Sequence, residues 1–296
     1  MIHAPIVAVV TPFTAQGAVD KGALRSYLAL LSAAGVKAIL VNGTTGEFFN
    51  MTAHERGVVL EVCREHWPGQ LIAHVGSAAI GDALNLLDQA RPHADYLAAI
   101  SPYFFASPPQ EGLCAYFRQL LLHSDLPQLL YNFPRHAQTD LTPSLVSRLA
   151  AEFPQLKGVK DSGHDRAVTR GFKAARPDMQ VFVGDDRAGA HLPDIGVDGL
   201  VTGAGGPVVE LPLRIAEAVR GGDRDRAHQL QADFDQWTDA RHASPLTEIA
   251  FTKAALAARL FGFPPYVRPP LVSATDAQCA EIRSFLQRTM MPLINA

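Results

Sequence analysis

Short apolar runs alternate with longer amphipathic stretches over most of the chain. The runs fall at residues 6–10, 38–41, 71–75, 96–100, 128–131, 158–160, 181–183 and 199–201. They are rich in Val, Ile and Leu and nearly continuous, the pattern of parallel strands covered on both faces. Helix signals lie between them. Thr52, with Glu55 three residues on, makes a capping-box start for residues 52–66. Thr142-Pro143 opens a helix over 142–153, and Gly221-Gly222 stops one over 207–220. Eight strand–helix units, each of roughly 25 to 30 residues, predict an α/β fold of the (β/α)8 TIM-barrel type over an open doubly wound sheet. Near Gly222 the strand pattern stops, and residues 223–242, 246–261 and 275–290 read as helices. The chain therefore divides into a barrel carrying the active site, residues 1–222, and a C-terminal helical region, residues 223–296, whose helices read as packing surface.

Composition narrows the partners. Of the 296 residues, 48% are hydrophobic and 19% charged, enough for a large core and too apolar for a disordered chain. The formal net charge of −3, with no basic run, disfavours nucleic acid and leaves a small molecule as the default partner. Cys63, Cys114 and Cys279 are far apart and have no ligand spacing, so a zinc site is not expected. Free thiols fit a reducing cytosol. The first ten residues lack the charged start of a signal peptide and are too short to cross a membrane. These features read as a soluble, cytoplasmic protein.

In a barrel of this kind, reactive groups sit where strands end at the C-terminal rim. Five strand ends carry them here. The second runs into Asn42-Gly43-Thr44-Thr45-Gly46-Glu47, and the fifth ends on Tyr131. The sixth ends on Lys160, the seventh runs into Gly184-Asp185-Asp186, and the eighth runs into Thr202-Gly203-Ala204-Gly205-Gly206. Desolvation at a strand end favours the neutral amine of Lys160, the form that attacks a ketone to give an imine. A salt bridge to Asp161 or Asp185 is the plainer alternative. Tyr131 lies one unit earlier, so its phenol neighbours Lys160 and can move protons, unless it simply packs against a carbonyl. The Gly43–Gly46 turn offers N–H groups and two hydroxyls to a carboxylate and lacks the lysine of a nucleotide loop. Glu47 reads as a helix-start charge rather than a supporting acid behind that turn. The glycine-rich segment after Thr202 reads as a cradle for phosphate or sugar hydroxyls. Asp185-Asp186 reads as orienting hydroxyls or capping a helix in preference to binding a metal. His74 reads as a buried structural histidine. Phe104 and Phe105 read as interface or pocket wall.

Gly43-Thr44-Thr45-Gly46-Glu47, Ser101-Pro102-Tyr103, Tyr131-Asn132-Phe133-Pro134, Gly158-Val159-Lys160-Asp161-Ser162 and Gly184-Asp185-Asp186, with Val267-Arg268-Pro269-Pro270, resemble the dihydrodipicolinate synthase/N-acetylneuraminate lyase family in order and spacing. The resemblance covers nearly the whole chain. It implies a barrel with C-terminal helices, pyruvate bound as an imine without metal or organic cofactor, and a homotetramer built as a dimer of dimers. It gives Lys160 the Schiff base and Tyr131 the proton relay, with Thr44. Thr44 and Thr45 would hold the pyruvate carboxylate. Gly184, Asp185 and Gly203 would meet longer substrates, with His136 and Tyr103 as further binding positions.

Two departures bear on the second substrate. Family synthases carry a second tyrosine where this chain has Phe104, and an arginine where it has His136. Arg135 is one residue early, and its side chain is expected to project differently. Losing a charge-assisted contact of this kind costs about 1.5–3 kcal/mol. The sequence therefore favours aldol cleavage of a 2-keto-3-deoxy sugar acid, or a similar 4-hydroxy-2-oxo acid, to pyruvate and an aldehyde. Condensation of pyruvate with aspartate semialdehyde and dehydration of a sugar acid are the alternatives. A 2-oxo-acid binding protein without turnover fits poorly with both Lys160 and Tyr131 present.

Overall fold

Eight parallel strands close on themselves in the order β1 to β8, with β8 paired to β1, in a computed structural model that describes residues 1–295. The first half of the chain runs β1 (Ile6–Ala8), α1 (Lys21–Ala33), β2 (Ala38–Val41), α2 (Ala53–His66), β3 (Gln70–His74), α3 (Ile80–Ala90), β4 (Tyr96–Ile100) and α4 (Gln110–His123). Then come β5 (Gln128–Asn132), the one-turn α5 (Pro134–Ala137), α6 (Pro143–Glu152), β6 (Leu156–Asp161), α7 (Arg166–Ala175), β7 (Gln180–Val183), the one-turn α8 (Leu192–Ile195), β8 (Gly199–Thr202) and α9 (Glu210–Arg220). The C-terminal helices are α10 (Arg224–Ala243), α11 (Glu248–Arg259), α12 (Asp276–Phe285) and α13 (Met291–Asn295). The (β/α)8 barrel read from the sequence is the fold found.

Boundaries differ in small ways. The first strand ends at Ala8, although Val9 still donates its N–H to Leu40 O. The helix expected over 207–220 is a 3-10 turn at Gly206–Val208 followed by α9. The last expected helix widens into a π turn at Leu286–Met290 before α13. The capping box at Thr52 and Glu55 is present as read.

Strand alternation sorts the side chains. Ile6, Ala8, Leu40, Ile72, Ala98, Leu129, Phe182 and Val201 fill the lumen. Their strand neighbours, among them Val7, Ile39, Leu71, Leu97, Leu130, Val159 and Val181, meet the surrounding helices. Burying one such side chain contributes about 1.5–3 kcal/mol, so the register is strongly fixed. Two residues beyond Leu129 on the same face comes Tyr131, the next inward position up the barrel. The Gln180 side chain bonds both the N–H and the carbonyl of Ile2, and Gln70 bonds Met1 O, closing the N-terminal end. The side chains that the sequence singled out stand at the other rim. Beside the barrel, Phe234, Trp237, Phe251 and Leu286 share a core with Leu211 and Ile215 of α9. No helix among the described residues is long and apolar enough to cross a membrane.

Candidate active site

Tyr131 and Lys160 are paired across β5 and β6, and both side chains are nearly buried, at 1% and 8% exposure. Lys160 Nζ stands 3.9 Å from the centroid of the Tyr131 ring. The expected rival, a salt bridge to Asp161 or Asp185, is not formed. Asp161 is occupied elsewhere, accepting from Asn132 Nδ2 at 2.8 Å, Gly163 N at 2.9 Å and Thr169 Oγ1 at 2.6 Å. Asp185 faces His164 instead, with Nδ1 and Oδ2 3.6 Å apart. The Tyr131 hydroxyl lies 3.2 Å from Thr44 Oγ1, so a proton has a path between them. Phe133 stacks on the Tyr131 ring, and His74 meets it edge-on. That packing fixes the phenol's direction.

His74 is structural, as read. It is buried, with Nδ1 2.9 Å from Asn42 O and Nε2 3.3 Å from Ile100 N. Those partners assign the proton to Nδ1. Burial, then the charges of Arg56 and Lys160, hold the ring well below the usual histidine range, so it stays neutral.

The turn after β2 is bracketed by two left-handed residues, Asn42 and Glu47, each with φ 58°. Asn42 Nδ2 donates to Arg56 O, and the Thr11 hydroxyl donates to Gly46 O. Inside the turn, Gly46 N and Glu47 N bond Gly43 O and Thr44 O. The N–H groups of Thr44 and Thr45 have no partner among the described residues. Both threonines border the cavity above Lys160. Two free N–H groups beside two hydroxyls suit a carboxylate. Glu47 is not the helix-start charge expected. It is fully buried and accepts from Lys253 Nζ.

The cavity measures about 630 Å³, within the range of roughly 300–1,000 Å³ usual for small-molecule sites. Lys160, Tyr131, Thr44, Thr45, Gly184, Asp185, Gly203 and His136 all line it. Gly184 is needed there, since a Cβ would stand 2.1 Å from Ser162 Oγ and 3.5 Å from Lys160 Cε. Tyr103 is placed differently. It packs against Phe48, beside Tyr131, and is not on the cavity wall. Phe104, with φ 84°, is 97% exposed. Arg135 and His136 leave the one-turn α5 side by side, and both border the cavity. Arg135, expected to project differently from the residue at 136, is thus part of the wall as well.

Asp185 caps the 3-10 turn that follows it, accepting from Arg187 N at 3.0 Å. Burial pushes its carboxyl up, but His164 and the Arg187 N–H outweigh that and hold it below the usual range. Asp186 is more deeply set and accepts from the Thr202 hydroxyl and Ala204 N. Burial raises its pKa against the pull of Arg241. No group of three His, Cys, Asp or Glu among the described residues is arranged to hold a metal. The glycine-rich segment after β8 is not the open cradle expected. Ala204 N is taken by Asp186 and Gly205 N by Thr202 Oγ1, leaving Gly203 on the wall.

Sequence reasoning missed three parts of the wall. His164 reaches it in a left-handed conformation, φ 60°, from the loop after β6. Arg241 and His242 come from α10, and Thr247 and Glu248 from the start of α11. The C-terminal helices are thus cavity wall as well as packing surface. No local signal marked these residues; only the fold brings them to the rim.

Comparison with known proteins agrees with this geometry. The model of the dihydrodipicolinate synthetase family matches residues 1–289. A probable 2-dehydro-3-deoxy-D-pentonate aldolase, YjhH of Escherichia coli K12, is 31% identical over 280 residues, covering 92% of each chain. The 4-hydroxy-tetrahydrodipicolinate synthase 1 of Streptomyces coelicolor is 33% identical over 273 residues, covering 91% of this chain and 88% of its own. Among solved structures, E. coli K12 YagE, a prophage protein of the same family in complex with pyruvate, superposes with a TM-score of 0.89 at 26% identity. That superposition covers 96% of this chain and 97% of YagE. With the family model spanning nearly the whole chain, and aldolase and synthase relatives aligned over nine-tenths of it, the chain belongs to the dihydrodipicolinate synthetase family and is a lyase of the class I aldolase type.

Proposed function

We propose that Lys160 forms an imine with pyruvate, or with the 2-oxo group of a 4-hydroxy-2-oxo acid, and that the enzyme makes or breaks the C3–C4 bond of the latter. The observation that carries this is the unpaired Lys160 amine 3.9 Å from the Tyr131 ring centroid, with the Tyr131 hydroxyl 3.2 Å from Thr44 Oγ1. The amine adds to the C2 carbonyl, and the carbinolamine loses water to leave an iminium. The free N–H groups of Thr44 and Thr45 hold the C1 carboxylate. Tyr131, relayed through Thr44, gives its phenol proton to the hydroxyl that leaves the carbinolamine as water, and the phenolate so formed takes the proton of the C4 hydroxyl. The C3–C4 bond breaks, its electron pair passes to the iminium as an enamine, and an aldehyde leaves. Protonation at C3 and addition of water release pyruvate and restore the amine. Every step uses protein groups and water alone.

For the second substrate, a 2-keto-3-deoxy sugar acid is the preferred class. The wall near the mouth is polar, with Asp185, His164, Arg135, His136 and Thr247 within reach of hydroxyls. A relative that is a probable pentonate aldolase supports the same class. Condensation with aspartate semialdehyde is the second reading, supported by the synthase relative. The phenylalanine at 104 and the histidine at 136 weigh against it. Dehydration through the same imine is a third outcome of one assay.

The reading includes a homotetramer built as a dimer of dimers, supported by the exposed pair Phe104 and Phe105. It also includes a cytoplasmic setting, supported by three free cysteines.

Borohydride reduction in the presence of pyruvate tests the imine, with an adduct expected on Lys160 by peptide mass. An enzyme that turns over pyruvate while Lys160 stays unlabelled refutes it. Incubation with a panel of 2-keto-3-deoxy acids separates the reactions. An aldehyde fragment marks cleavage, and loss of water alone marks dehydration.

A further inference from the structure

Glu47 follows the Thr44-Thr45-Gly46 turn directly, and its surroundings are unusual for a carboxylate. Its side chain and that of Lys253 are both fully buried. Lys253 Nζ donates to Glu47 Oε1 and, at 2.9 Å, to Tyr266 O. It also lies 4.2 Å from the centroid of the Phe13 ring. The other carboxylate oxygen accepts from the backbone N–H of Arg268 at 3.2 Å and from Asn50 Nδ2 at 3.3 Å. The Arg268 guanidinium covers the opposite side of this cluster. It stacks on Phe13 and bonds Glu55, Gly17 O and Asn50 O. Residues from α11 and from the segment after it thus grip the residue next to the turn, more than two hundred positions away in sequence.

Two physical points argue that this cluster serves the turn. Glu47 is held in the left-handed region at φ 58°, where glycine would be relaxed and a long side chain is strained. A carboxylate is kept at a position whose backbone does not favour it. Burying two opposite charges is also costly, and an apolar pair of the same volume commonly leaves a protein equally or more stable. Burial drives the Lys253 ammonium down to about 8 despite the pull of Glu47, which reflects that cost. Stability alone therefore does not account for the pair. What it does fix is direction. Glu47 N bonds Thr44 O, and Asn50 N bonds Glu47 O, so the carboxylate's anchorage sets the backbone on both sides of Glu47.

We propose that Glu47 is a positioning residue for the reaction, and that Lys253 and the Arg268 N–H hold it so that the Thr44 and Thr45 N–H groups face the substrate carboxylate. The proposal rests on the imine reading above, in which that turn holds the carboxylate of pyruvate. The C-terminal segment then acts on the chemistry through the turn, without touching substrate.

The test uses the full chain with Glu47→Gln, Lys253→Met and the double substitution Glu47→Gln/Lys253→Met. Each is melted, then titrated with pyruvate under borohydride, and the Lys160 adduct is read by mass. The double variant, with no buried charge left, is expected to melt near the parent. Its half-saturating pyruvate concentration should rise by about tenfold to hundredfold, as for loss of one charge-assisted hydrogen bond. Its kcat at saturating substrate should change by less than about threefold, since ground-state and transition-state binding weaken together. A folded double variant with unchanged half-saturation overturns the proposal. So does a rise that only follows the folded fraction read by circular dichroism on the same sample. If the double variant does not fold, Glu47→Gln alone decides by the same two criteria, because it keeps the shape and removes only the charge. A parent enzyme that gives no adduct sinks the imine reading itself, whereas a labelled parent with an indifferent variant sinks only the role of Glu47.

Discussion

Tyr131 and Lys160 face each other across adjacent strands in one register, with the amine poised 3.9 Å from the centroid of the phenol's ring and the phenol's oxygen 3.2 Å from Thr44. The amine and the proton carrier are therefore separable by mutation. Tyr131→Phe should keep the stacking on Phe133 and still form the borohydride adduct on Lys160. It should lose a factor of roughly 100 to 10,000 in kcat, the range for removing a general acid–base group. A variant that keeps parental kcat removes Tyr131 from the relay.

Gly184 is expected to be intolerant. The Cβ of Gly184→Ala would collide with Ser162 Oγ and press on Lys160. Overpacking of this kind costs about 1–3 kcal/mol, and displacing the amine by about 1 Å costs on the order of 100-fold in rate. Adding Ser162→Ala removes the colliding oxygen and should recover most of the melting temperature and part of the rate. Equal melting and rate in parent and Gly184→Ala would show that the space is free.

The His164–Asp185 pair titrates in a defined window. His164 is raised above the usual histidine range, chiefly by the Asp185 carboxylate 3.6 Å away and against burial, with Asp161 adding to the rise and Arg135 opposing it. Asp185 is lowered. The His164 contribution is complete below the unfolded value of about 6.5 and is lost as pH rises through the raised folded value. The Asp185 contribution is present above about 3.9 and is lost as pH falls through its lowered folded value. The pair is thus strongest between about pH 4 and 6.5, and at this exposed rim it contributes no more than about 0.5 kcal/mol. Titration of the His164 ring by NMR should give a pKa above 6.5 in the parent, falling in Asp185→Asn. No change in that variant removes the pairing.

Glu55 links the start of α2 to Arg268. Its carboxyl is held at about 2 by the Arg268 bond, with burial opposing and Thr52 assisting. A lowered carboxyl stabilises above its unfolded value of about 4.3 and ceases to do so as pH falls through the folded value. Parent and Glu55→Gln should differ by about 1 kcal/mol near pH 6, allowing for solvent screening, and converge towards pH 2. A constant difference across that range, measured by denaturant melts, would exclude the charge as its source.

Much of this was legible in the sequence because it is local or periodic. Buried parallel strands announce themselves as unbroken apolar runs, so β2 and β4 were located to the residue. Lys160 and Tyr131 could be placed side by side because each lies one residue short of its strand's end, one unit from the other. The capping box at Thr52 was readable since both partners lie within one turn. Glu47 was misread because its partners, Lys253 and Arg268, lie far along the chain, and an acid before a helix has a local explanation ready. The glycine-rich segment after β8 was misread for a related reason. Its N–H groups look free in sequence, but Asp186, from the neighbouring strand's loop, already satisfies one of them. His164, Arg241 and Glu248 carried no pattern at all, because a cavity wall is assembled from whichever residues the rim happens to face.

Below Lys160 the barrel is filled by Ile6, Leu40, Ile72, Leu129, Phe182 and Val201, and the Gln180 and Gln70 side chains tie the N-terminal backbone across the far end. The cavity lies on the other side of Lys160 from that packed end. On the proposed reaction, the three-carbon fragment is tethered at the floor and the aldehyde lies between it and the exit. Departure is then ordered by geometry: the aldehyde leaves first and pyruvate last. In the synthetic direction the queue reverses, and pyruvate has to be seated before its partner can come in.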